Sequence, residues 1–96
     1  MKLKIPKEIQ LGGQTIKITV MKDLSRGGAH GMCRYDDCEI WFDDNIKPED
    51  LKGITYYHEL MHFILHTLGK DALRDDEGFV DSVGNLLWQA NKTAVY

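Results

Sequence analysis

The chain has 96 residues, of which 43% are hydrophobic and 28% charged, with a net charge of −3, figures that fit one globular domain with a single modest core, spanning 1–96. A pI near 5.7 leaves no electrostatic case for nucleic acid. No run of 18 apolar residues offers a membrane span, and Met1 to Lys7 lacks the apolar stretch and cleavage site of a signal peptide, so a cytoplasmic protein is expected.

Two alternating runs flank Gly12-Gly13, with Ile9 and Leu11 before the glycines and Ile16, Ile18 and Val20 after them. That pattern predicts a β-hairpin within 8–20. The stretch 22–31, with Ser25-Arg26-Gly27-Gly28, reads as a loop. A second hairpin is expected from strands over 31–35 and 38–42, turning at Asp36-Asp37. In that pairing Cys33 faces Ile40 and shares a face with Cys38. Two cysteines four residues apart make neither a disulfide framework nor a two-residue zinc knuckle, so both are read as structural thiols.

Pro48-Glu49-Asp50 is a helix start, with proline at the first position and acids where the helix dipole favours them. The helix should run over 48–68 and stop at Gly69. It is apolar nearly all round, through Leu51, Ile54, Tyr57, Leu60, Phe63 and Leu68, and is therefore largely buried. Gly53 costs its interior about 1 kcal/mol relative to alanine, which points to close packing by another element. A polar connection over 70–75 follows. Asp75 or Asp76 then caps a second helix in which Phe79, Val83, Leu86, Leu87 and Ala90 recur at helical spacing down to about Gln89, with 91–96 frayed. Strands first and helices last predict an α+β fold, a small antiparallel sheet of about four strands followed by two packed helices.

The first helix contains His58-Glu59-Leu60-Met61-His62. Residues four apart lie one turn above each other, so the two imidazoles can converge on one divalent ion. Burying two imidazoles and a carboxylate is costly unless they are paired or hold a metal. Zinc accepts imidazole nitrogen at about 2.0 to 2.1 Å and, with a third protein ligand, keeps a position for water, from which Glu59 can accept a proton. His66 extends the histidine series, but on a straight helix it lies about 12 Å from His58 along the axis, whereas two ligands of one zinc sit about 3 to 3.5 Å apart. Glu77, in the first turn of a second helix folding back antiparallel, is the favoured third ligand, and Asp81 is next. If Glu77 ligates, Asp81 can accept the N–H of a ligating imidazole and fix its tautomer. Gly84 continues that stripe and lets the helices approach closely.

His58 to His62, with a downstream glutamate on a second helix, resembles the zincin metallopeptidases, more closely the gluzincin arrangement of two histidines and a glutamate. The short length, the sheet-then-helix order and the phrase His-Glu-Leu-x-His-x-x-Leu also look like the compact bacterial and phage metallopeptidase domains of the ImmA/IrrE type. The metzincin pattern is not met, since positions 65 and 68 are leucine. The resemblance implies that His58, His62 and Glu77 bind zinc and that Glu59 is the general base. It implies a zinc-dependent peptide or amide hydrolase acting on a peptide or protein, with metal-activated water as nucleophile. An extended peptide could add to an exposed sheet edge, the 38–42 strand, and a partner protein could complete so small a cleft. His30, Tyr35, Tyr56, His66 and Arg74 are available to stabilise an oxyanion. The alternatives are a non-catalytic zinc-binding regulatory or protein-interaction module, and a metal-free helical-hairpin interaction domain.

Overall fold

The first hairpin forms as its alternation requires. Strand β1 (Glu8–Leu11) pairs antiparallel with β2 (Gln14–Met21), from Glu8↔Lys17 to Leu11↔Gln14. Gly12 and Gly13 hold φ of +56° and +81°, the left-handed values a two-residue turn needs to match the strand twist. The computed structural model describes residues 4–96, apart from the side chains of residues 25 and 26, so Met1 to Leu3 of the leader argument lie outside the described residues.

The expected loop after β2 contains a 3₁₀ turn over Leu24–Gly27. Strand β3 (Gly31–Arg34) then pairs antiparallel with β4 (Glu39–Asp43), and Cys33 faces Ile40. The connection is longer than the sequence reading had it. Cys38 is a turn residue at φ +53°, and its N–H reaches the Tyr35 carbonyl at 3.3 Å. Asp36-Asp37 offers no glycine for the two positive φ values of the tightest turn, whereas the longer one places a single residue in that region.

The strand order is β1-β2-β4-β3. Each hairpin is antiparallel, but β2 and β4 pair in parallel, from Lys17↔Glu39 to Met21↔Asp43, so the sheet is mixed. The chain runs out to the edge as β3 and returns between its neighbours as β4. This puts the two most apolar strands side by side, with Ile18 opposite Ile40 and Val20 opposite Phe42. Strand β4 is therefore interior, contrary to the edge expected for the 38–42 segment, and the sheet's edges are β1 and β3, of which β3 borders the cleft through Gly31.

Helix α1 (Glu49–Thr67) begins one residue later than expected, with Pro48 as its cap at ψ 129°, and ends before Gly69 at φ +72°. The polar connection contains a single helical turn, α2 (Asp71–Arg74). Helix α3 (Glu77–Thr93) starts at Asp76, whose carboxylate accepts the Phe79 N–H at 3.0 Å, and continues past Gln89. Among the described residues no helix is long and apolar enough to cross a membrane.

Helix α1 lies between the sheet and α3. On the sheet side, Tyr56 and Phe63 pack with Ile16, Ile18, Ile40, Phe42 and Ile46, and Phe63, Ile16 and Ile40 are fully buried. On the other side α3 runs antiparallel, packing through Val80, Gly84 and Trp88. The Trp88 ring occupies the space where a side chain on Gly53 would be, and its Nε1–H donates to Asp50 Oδ1 at 2.9 Å. This corrects the packing face read from the sequence. Phe79, Leu86 and Leu87 are 37%, 64% and 39% exposed. Trp88 over Gly53 and Gly84 against the His58 backbone set the rotation of α3 about its axis, and the Phe79 stripe falls on the flank beside that contact.

Candidate metal centre

Four side chains of α1 share a face by helical spacing, Thr55, His58, Glu59 and His62, and that face opens between β3 and α3. Gly84 is where α3 comes closest, since an added Cβ there would lie 3.0 Å from His58 N and 3.1 Å from His58 Cα. That approach carries Glu77 and Asp81 to the histidines. His58 Nε2 and His62 Nε2 are 3.1 Å apart. The Glu77 carboxylate straddles them, with Oε2 at 3.1 Å from His58 Nε2 and Oε1 at 3.1 Å from His62 Nε2.

The geometry meets the test for a small cation. Ligand atoms on a tetrahedral ion at about 2.0 to 2.1 Å stand roughly 3.3 Å apart, and one donor atom from each of the three residues lies within 4.8 Å of the others. Neutral imidazoles turn lone pairs inward, and a carboxylate adds the charge that a dication needs. Burial, the largest influence, holds the His62 pKa below its usual value despite the opposing pull of Glu77, which favours the neutral ligand form. Asp81 Oδ1 lies 3.6 Å from His58 Nδ1, beside the ring's other nitrogen though beyond hydrogen-bond length. Asn85 steadies Asp81, donating to its main-chain oxygen at 2.9 Å and to Oδ2 at 3.3 Å. A main-chain contact from Arg74 acts on the His62 ring.

Glu59 is 6% exposed. Burial, the largest cause, pushes its pKa up to about 7, with the Glu77 charge adding to the rise and His58 opposing it. Cys33, read as structural from the sequence, sits behind it, donating from Sγ to the Glu59 main-chain oxygen at 3.1 Å, with Oε1 at 4.0 Å. Burial and then the Glu59 charge raise the Cys33 thiol, so it stays protonated. Gly31 in β3 faces the same carboxylate. A Cβ there would stand 2.8 Å from Glu59 Cγ and 2.9 Å from Thr55 Cγ2.

The cleft is about 450 Å³, with Ala29, His30 and Gly31 on one wall, Leu51 and Ile54 along α1, and the histidines, Glu59, Glu77 and Asp81 at its centre. His66 lies elsewhere, stacked on Tyr35 at 4.2 Å, with Arg74 Nη1 3.1 Å from its Nδ1. Of the five groups available to an oxyanion, His30 lines the cleft. Tyr56 is buried against Phe42, and Tyr35, His66 and Arg74 are engaged with one another. Helical spacing back from His58 could have found Leu51, Ile54 and Thr55. Nothing local marked Cys33, Gly31 or the Arg74 main chain.

Comparison of the chain with protein-family models, with curated proteins and with solved structures returned no match.

Proposed function

We propose that the chain is a zinc-dependent peptide or amide hydrolase of the zincin type, with Glu59 as general base. The observation that carries this reading is the meeting of His58, His62 and Glu77 at 3.1 Å contacts, beside a buried carboxylate that is free of the ligand set. His58, His62 and Glu77 would hold the ion, which when bound supplies Lewis-acid activation of a water and of the scissile carbonyl. Glu59, buried beside the ligand set without belonging to it, takes the proton from the attacking water and returns it to the leaving amine. Asp81 orients the His58 ring and the Arg74 main chain that of His62. Cys33 pins the backbone at Glu59, and Gly31 leaves room for its side chain. The free edge of β3 offers main-chain groups to an extended peptide, and His30 on the cleft wall is placed to meet a developing oxyanion. A cytoplasmic location, a peptide or protein substrate and a partner that extends the cleft belong to the same proposal.

Zinc analysis and cleavage assays on wild type and Glu59→Gln test it. The expectation is one zinc per chain in both proteins and cleavage of a peptide library by the wild type, reduced at least about 100-fold in the variant. Absence of stoichiometric zinc refutes the metal reading. Zinc without cleavage in either protein refutes the hydrolase and leaves the non-catalytic zinc module.

A further inference from the structure

The two imidazoles at the cleft are steadied in different ways. His58 has the Asp81 carboxylate 3.6 Å from Nδ1, on a helix that Trp88 over Gly53 and Gly84 against the His58 backbone seat on α1. His62 turns Nε2 to His58 and Glu77, which leaves its Nδ1–H to the Arg74 main-chain oxygen. That oxygen belongs to α2, a single turn of four residues, none of them buried. One turn does not persist on its own hydrogen bonds, and α2 covers little apolar surface, since its Leu73 is 40% exposed. The Arg74 side chain supplies the missing anchor. Its Nη1 donates to His66 Nδ1 at 3.1 Å, one turn beyond His62 on α1, and the guanidinium carbon lies 5.5 Å from the centre of the Tyr35 ring. His66 and Tyr35 stack 4.2 Å apart, and the fully buried Phe63 meets both edge-on. Asp75 Oδ1 at 3.0 Å from Nε and Asp71 Oδ1 at 3.3 Å from Nη1 hold the guanidinium from the α2 side.

We propose that Arg74 is a positioning residue of the metal centre: its side chain, docked on the His66–Tyr35 stack, fixes where its own carbonyl oxygen lies, and that oxygen keeps the His62 proton on Nδ1 so that Nε2 is free for the ion. His66 and Tyr35 act through Arg74 and touch neither the ion nor the substrate. A planar guanidinium meets partners in several directions with a fixed fork of donors, which a lysine ammonium cannot do. Glu77 and Asp81 ride on α3, which is seated separately through Trp88 and Gly84, so the support from Arg74 serves His62 and leaves His58 alone. This role rests on the metal reading of the cleft.

Chelator competition for zinc, with nuclear magnetic resonance of the histidine rings in the zinc-loaded chain, tests it. Arg74→Ala and His66→Ala should each weaken zinc binding by about 10- to 100-fold. The double variant should be no weaker than the worse single one, because both changes break the same support. Arg74→Lys should fall between wild type and Arg74→Ala, and it keeps the test open if the alanine variant does not fold. Arg34→Ala, which removes an arginine paired with Asp37 outside the cleft, should bind zinc as the wild type does. The His62 Nδ1–H signal should be sharp in the wild type and lost to exchange with water in Arg74→Ala, while the ring nitrogen signals of His58 stay in place. A wild type that binds zinc, with Arg74→Ala or Arg74→Lys binding it equally well, overturns the positioning role and leaves the metal reading standing. So do additive losses in the double variant, or changes at His58 as large as those at His62, which would mean a general loosening of the domain. A wild type that holds no zinc removes the metal reading, and this role with it.

Discussion

Replacing Gly53 with alanine sets two effects against each other. An interior glycine costs a helix about 1 kcal/mol relative to alanine, so intrinsic propensity favours the substitution. Tertiary packing reverses the sign. A Cβ at residue 53 would lie 2.2, 2.4 and 2.5 Å from three atoms of the Trp88 ring, where ordinary carbon contacts are about 3.5 to 4.0 Å. Relief requires the indole to move, yet Trp88 is 5% exposed and tied through Nε1 to Asp50. Overpacking of this depth sits near the top of the usual range of about 1 to 3 kcal/mol. Subtracting the propensity gain leaves a net loss of about 2 kcal/mol. For a domain of this size that lowers Tm by about 8 to 16 °C. Gly78→Ala is the matched control. Residue 78 is exposed in the first turn of α3, and its added Cβ would come no nearer than 3.5 Å to Asp76 Oδ1. That variant keeps the propensity gain and melts at or slightly above the wild-type temperature. Both are measured by thermal circular dichroism with a chelator present, which removes any stabilisation by bound metal. A Gly53→Ala protein as stable as the wild type would refute the seating of Trp88 on α1, and with it the rotation of α3 that brings Glu77 to the histidines.

Asp81→Ala should weaken zinc affinity by about 10-fold, the low end for a group that orients a ligating imidazole, given its 3.6 Å separation from His58 Nδ1. Competition with a chromophoric chelator measures this, and an unchanged affinity would remove Asp81 from the site. Glu59→Gln should stabilise the metal-free protein in a pH-dependent way. The folded-state pKa of Glu59 is raised from 4.5 to about 7, so its ionisation opposes folding. The penalty is absent below about pH 4.5, grows as pH rises towards 7 and is complete above it. Urea midpoints in chelator should therefore show the variant's advantage widening from pH 5 to pH 8, by up to about 3 kcal/mol. An advantage that stays flat or shrinks over that range contradicts the burial of the carboxylate.

Local patterns in the sequence were enough to define several features. Alternation around Gly12-Gly13 specified the first hairpin because a turn with both φ values positive admits little else. The register of Cys33 on Ile40 followed from centring the second hairpin on Asp36-Asp37, a centre that the longer turn keeps. Helical spacing put His58 and His62 on one face, and the Asp75-Asp76 pair marked the start of α3, with the structure choosing Asp76 as the acceptor for a free N–H of the first turn. Other features were decided by residues that meet only in three dimensions. The parallel seam between β2 and β4 depends on which strands share the most apolar surface. Cys33 reaches Glu59 across 26 positions, and Trp88 reaches Asp50 across 38. Periodicity revealed an apolar stripe along α3 but could not tell it from the adjacent stripe of Val80, Gly84 and Trp88. Choosing between them took the fit of one indole over one glycine, because packing is governed by the shape of both partners and a single helix carries only its own half of that information.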